Sequence, residues 1–131
     1  MIGRLHHVEI YVNDLKKTKE FYTWFLNMIG YKEYQSWDLG FSMLLENTYI
    51  VFVQVEEKYK NIKYHRCRSG LNHLAFYGGS KEQIDIFREK LKRKGISLLY
   101  DEKYPYAGGK GYYALYFEDP DRMKLELVAE K

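Results

Sequence analysis

One stretch of this chain is written twice, and that duplication constrains the fold more than any other feature. His7-Val-Glu-Ile-Tyr-Val-Asn-Asp14 and His73-Leu-Ala-Phe-Tyr-Gly-Gly-Ser80 each open on a histidine and close on a residue able to cap a helix. His7 to His73, Asp14 to Ser80, Phe21 to Phe87 and Phe25 to Leu91 each span 66 positions, and Gly30 to Gly95 spans 65. A chain of 131 residues has the length of one ordinary domain. The repeat therefore predicts a single domain over residues 1–131 built from two copies of one folding unit. A histidine at the same place in each copy predicts a site where the copies meet.

The elements follow the same order in both halves. Leu5 to Val12 alternates as a strand does, with Val8, Ile10 and Val12 on one face and Leu5, His7, Glu9 and Tyr11 on the other. Asp14 caps a helix to about Met28, in which Thr18, Phe21, Tyr22, Phe25 and Ile29 recur at helical spacing and Gly30 is the stop. Strands are predicted near 31–37, 41–45 and 49–55, with Glu46-Asn47 as a tight turn. Residues 57–70 are polar and poorly periodic, a connector between a first module at about 1–56 and a second at about 71–131. The second module opens with a strand at 72–77. Its helix starts at a Ser80–Gln83 capping box, buries Ile84, Phe87 and Leu91, and stops at Gly95. Strands near 96–100, 112–117 and 123–128 complete it, with Glu118-Asp-Pro-Asp121 as the last turn. Each half is strand, helix, strand, strand, strand, which defines an α+β fold of two βαβββ modules. The loop 101–111, with Pro105 and three glycines, has no counterpart of that length in the first half, and is expected to act as a lid or substrate loop.

Charge and composition exclude several function classes. The net charge of +3 is small. Its densest run, Lys90 to Lys94, ends a helix, where cations complement the macrodipole. Arg66-Cys-Arg68 is too short to be a basic stripe, so no nucleic-acid partner is expected. The lone Cys67 cannot form an intrachain disulfide, which fits a reducing cytosol, and a cytoplasmic protein is expected. No apolar run approaches the roughly 20 residues of a membrane span. The 14 tyrosines suit either a sheet or a partly polar cavity.

Strand parity decides which polar residues can converge. His73 shares a face with Ala75 and Tyr77. On the last strand Lys124, Glu126 and Val128 share a face, with Leu125 and Leu127 opposite on the apolar side. Matching the two hairpins through Glu46 and Glu118 gives an offset of 72, which puts Gln54 at the Glu126 position of the earlier copy. His7, Gln54, His73 and Glu126 then make a four-cornered polar set. Imidazole with carboxylate suits divalent nickel, zinc, manganese, cobalt or iron, and three protein ligands with open positions suit catalysis. The competing reading makes the histidines ordinary strand residues and Glu126 a solvated one. His6 points to the other face in this register and His65 lies in the connector, so both are left out.

Three stretches resemble the glyoxalase/bleomycin-resistance/dioxygenase family, also called the vicinal oxygen chelate superfamily. They are Leu5-His-His-Val-Glu-Ile-Tyr-Val-Asn-Asp-Leu15 with Phe21-Tyr22, Gly70-Leu-Asn-His-Leu-Ala-Phe76, and Tyr116-Phe-Glu-Asp-Pro-Asp-Arg-Met-Lys-Leu-Glu-Leu-Val128. The resemblance implies a half-barrel of βαβββ modules around a divalent metal, usually in a homodimer. It implies ligands at His7, His73 and Glu126, with the fourth at or near Gln54. It also implies that the metal acts as a Lewis acid on a substrate carbonyl and that Glu126 moves a proton between adjacent carbons, with Glu9 a weaker candidate. Arg122 stands where the family's Asp-Pro-Asp turn is usually followed by glycine, so strain is expected there.

The function implied is a metal-dependent lyase or isomerase similar to glyoxalase I, acting through a metal-stabilised enediolate on a small carbonyl compound or its thiol adduct. The alternatives are a metal-free binder similar to bleomycin-resistance proteins, an epimerase similar to methylmalonyl-CoA epimerase, and, lower, an iron dioxygenase. The chain also ends without the extended C-terminal segment of the fosfomycin-resistance enzymes, which argues against that activity.

Overall fold

The computed structural model of the chain describes residues 1–130 and divides them into two compact units, 1–63 and 64–130. The first unit holds β1 (His7–Val12), α1 (Leu15–Met28), β2 (Lys32–Trp37), β3 (Gly40–Leu45) and β4 (Thr48–Gln54). The second holds β5 (His73–Tyr77), α2 (Lys81–Lys94), β6 (Leu98–Leu99), β7 (Ala114–Glu118) and β8 (Lys124–Val128). The two sheets run β1-β4-β3-β2 and β5-β8-β7-β6, each with one parallel pair (β1 with β4, β5 with β8) in an otherwise antiparallel ladder. This is the α+β arrangement of paired βαβββ modules. No helix among the described residues is long and apolar enough to cross a membrane.

Local chemistry explains why the copies match over their first 30 residues. Both helices have 14 residues and begin 66 positions apart. Asp14 accepts from the Lys17 N–H, and the Ser80–Gln83 capping box forms in full, each cap contributing about 1 kcal/mol. The buried stripe of α1 (Thr18, Phe21, Tyr22, Phe25, Leu26) packs on its sheet, with the Tyr22 and Phe52 rings 4.2 Å apart. In the second unit Ile84 and Leu91 are fully buried, while Phe87 is only half-buried. Strand β6 is shorter than predicted, because Tyr100 takes a left-handed backbone (φ 57°) and a single helical turn follows at Asp101–Lys103.

The register of the parallel pairs corrects the alignment of the two halves. His7 lies beside Tyr49 and Glu9 beside Val51, whereas His73 lies beside Lys124 and Ala75 beside Glu126. The counterpart of Glu126 is therefore Val51, not Gln54. The offset on the last strand is 75, where matching the turns had suggested 72.

Candidate functional site

The second unit brings together a connected set of polar side chains on the sheet face opposite α2. Phe117, Leu125 and Leu127 are buried. Alternation sends Tyr116, Lys124 and Glu126 to the other side, together with His73 and Ala75 of β5. Glu126 is 2% exposed, which is unusual for a carboxylate and requires partners. Its Oε1 lies 3.2 Å from His73 Nε2, and its Oε2 accepts a 2.5 Å hydrogen bond from the Tyr112 hydroxyl. Tyr116 is the cross-strand neighbour of Glu126 and feels its charge. The bond to Glu126, then burial, pushes the Tyr112 hydroxyl up to about 12. Burial first, and then the Glu126 charge, does the same for Tyr116, also to about 12. Both phenols stay protonated as donors at neutral pH.

His73 is oriented from behind. Its Nδ1 lies 2.7 Å from Asn72 Oδ1, and the Asn72 amide cannot be turned round, because its Nδ2 donates to the Arg66 carbonyl at 3.1 Å. Nδ1 must then carry the proton, leaving the Nε2 lone pair facing the Glu126 carboxylate. Two acceptors 3.2 Å apart repel unless a cation joins them. A proton on Nε2 satisfies that requirement, and so does a metal ion. An amide or carbonyl oxygen behind the imidazole is the usual support for a metal-binding histidine. The donor set thus fits a divalent ion, with two ligands from this unit. No third His, Cys, Asp or Glu joins them into a metal-binding group among the described residues.

The loop 101–111 reaches this site through Tyr112. It is clipped to the outside of α2. Asp85 accepts from the hydroxyls of Tyr104 and Tyr113, and Arg88 donates to Asp101 at 2.7 and 3.0 Å while its guanidinium lies 4.5 Å from the Tyr104 ring centroid. Gly108 is required where the loop crosses the tyrosines, because a Cβ there would collide with the Tyr116 hydroxyl and the Tyr112 ring. The expected strain at the last turn is present. Arg122 sits at φ 64°, held by its Nε–Glu118 ion pair at 3.0 Å and by Arg66, which donates to its carbonyl at 2.9 Å.

The first unit places its predicted residues differently. The His7 ring stacks on Tyr49 (centroids 4.8 Å apart, planes within 4°) on the face away from α1. His6 does not point away as expected. It lies just before β1, and its Nδ1 comes 2.9 Å from the Nδ1 of His7. Gln54 shares the parity of Ile50 and Phe52, so it faces α1, on the opposite side of the sheet from His7. Its Oε1 accepts from the Leu15 N–H at 2.9 Å and its Nε2 donates to the Asn13 carbonyl at 2.9 Å. Gln54 therefore fastens the start of α1. As a metal ligand beside His7 it is corrected, since a residue of its parity cannot reach that face. Asn72, Tyr112 and Tyr116 are the site residues that the sequence reading missed. Tyr116 was within reach of parity, as the cross-strand partner of Glu126. Tyr112 sits in a loop and Asn72 just ahead of a strand, where no periodicity applies.

Two βαβββ units in sequence define a class of fold, and comparison confirms it. The chain belongs to the Glyoxalase/Bleomycin resistance protein/Dioxygenase superfamily, whose pattern matches residues 4–127. It is similar to the uncharacterized protein YqjT of Bacillus subtilis (strain 168), with 52% identity over 125 residues covering 95% of this chain and 98% of that one. A crystal structure from Bacillus halodurans, assigned only provisionally to the glyoxalases, is 46% identical with a TM-score of 0.97, covering 98% of this chain and 97% of that one. The fosfomycin resistance protein FosX of Listeria monocytogenes is 26% identical with a TM-score of 0.72, covering 100% of this chain and 96% of that one. That coverage removes chain length as a ground for setting this protein apart from fosfomycin-resistance proteins.

Proposed function

We propose that the protein is a metal-dependent lyase or isomerase of the glyoxalase type, acting on a small carbonyl compound or its thiol adduct. The observation that carries this reading is the approach of His73 Nε2 to Glu126 Oε1 at 3.2 Å, with Asn72 Oδ1 2.7 Å from the far nitrogen of the same ring. His73 and Glu126 would hold the ion. A bound divalent ion would supply Lewis acidity toward a substrate carbonyl.

The chain's own residues account for the rest. Tyr112 holds Glu126 in one orientation while keeping its proton. A buried carboxylate with two oxygens in different surroundings can move a proton between adjacent carbons, the role proposed for Glu126. The hydroxyls of Tyr112 and Tyr116 would then take up the change in its charge. A homodimer is proposed with this reading, and the solution mass of the protein tests it.

Metal analysis of protein purified without chelator tests the reading directly. About one ion per chain is expected, lost in His73→Ala and Glu126→Ala. Hemithioacetal isomerisation and thioester epimerisation, assayed on the loaded protein, then separate the isomerase branches. Absence of metal, with ligand binding intact in both variants, would favour a binder of the bleomycin-resistance kind.

A further inference from the structure

We propose that Lys124 and Tyr100 form a seat for an acidic group, a carboxylate or phospho group, carried by the substrate handled at His73 and Glu126. The reaction at the far end rests on the metal-dependent reading above, whereas the seat rests on separate observations.

Lys124 is the registered neighbour of His73 across β5 and β8, and it lies two residues before Glu126 on the same face. A lysine in a strand normally meets a carboxylate across the ladder, and here the cross-strand partner is Glu118. Glu118 instead turns to Arg122 at 3.0 Å and Arg66 at 3.8 Å. Glu126 is held by His73 and Tyr112. Lys124 forms no ion pair with any carboxylate among the described residues. Its ammonium lies over two rings, 5.4 Å from the Tyr100 centroid and 5.7 Å from that of Tyr116, and 3.4 Å from the Tyr100 hydroxyl. Aromatic faces hold a cation in place without neutralising it.

Backbone strain supports the assignment. Tyr100 adopts a left-handed conformation (φ 57°) that bulky residues rarely take. That conformation accompanies the edge-to-face contact of its ring with Tyr116, centroids 5.5 Å apart, and the approach of its hydroxyl to Lys124. The result is an ammonium held by two rings and one phenolic hydroxyl, on the residue registered with His73. Such a cluster of donors recognises an anion.

The test uses the full chain, stripped of metal by chelator and titrated with inorganic phosphate and with acetate. The NMR signals of residues 100, 116 and 124 are followed, and metal affinity is measured separately by calorimetry. Saturable shifts at these residues are expected, unmatched by chloride at equal ionic strength. Lys124→Met should weaken phosphate about tenfold or more, and Lys124→Arg less than about threefold. Metal affinity in Lys124→Met should stay within about twofold of the parent, because Lys124 is not among the ligands. Equal phosphate affinity in the parent and Lys124→Met, or shifts that chloride reproduces, would overturn the seat. Lys124-dependent anion binding in a protein that takes up no metal would support the seat and sink the metal-dependent reading alone.

Discussion

Replacing Tyr112 with phenylalanine removes one hydroxyl and leaves the ring, which isolates the bond to Glu126. A hydrogen bond to a charged acceptor contributes about 1.5–3 kcal/mol. Glu126 is nearly inaccessible, but Tyr112 is 41% exposed, so water competes on the donor side. A destabilisation of about 1–2 kcal/mol is therefore expected at pH 7, a fall of about 4–7 °C in Tm for a chain of this size. Urea unfolding of the parent, Tyr112→Phe, Glu126→Gln and the double variant gives the coupling energy directly. The pH dependence adds a second check. The Tyr112 hydroxyl is raised from the ordinary 10 to about 12 in the folded chain, first by its bond to Glu126 and then by burial. Between those values the unfolded chain gives up this proton while the folded chain keeps it, so stability falls as pH rises. The gap between parent and Tyr112→Phe should be full below pH 10 and close as pH climbs toward 12. A coupling energy below about 0.3 kcal/mol, or a gap that stays constant through that window, would refute the view that Tyr112 secures Glu126.

Other variants separate the scaffold from the site. Gln54→Ala should cost about 1–2 kcal/mol by undoing the start of α1, with metal content unchanged; lost metal with unchanged stability would return Gln54 to the ligand set. Asn72→Ala should weaken metal binding about 10–100-fold with the fold intact by circular dichroism, and undiminished affinity would mean that His73 needs no partner on Nδ1.

The two halves of this protein have kept the same scaffold and diverged in chemistry. At equivalent places on their last strands one unit carries Val51, 5% exposed, and the other Glu126, 2% exposed. In the second unit Tyr112 and His73 satisfy the carboxylate. A carboxylate at Val51 would need donors of its own.

What could be read from the sequence was whatever depends on near neighbours along the chain. The caps at Asp14 and Ser80 and the apolar stripe of α1 follow from spacings of one to four residues, and the 66-residue repeat sets them down twice. Local spacing also places His73 and Glu126 each on the polar side of its own strand, because side chains alternate wherever a strand forms. The pairing between strands was decided only by the tertiary structure. A register error of three residues, an odd number, moves a side chain to the opposite face of the sheet, and this is how Gln54 came to be matched with Glu126. Loop residues carry no periodicity at all. Tyr112 reaches Glu126 because Asp85 and Arg88 clip its loop to α2, and Asn72 reaches Nδ1 of His73 because the Arg66 carbonyl holds its amide. Such contacts are set by the path of the folded chain, which no local pattern encodes.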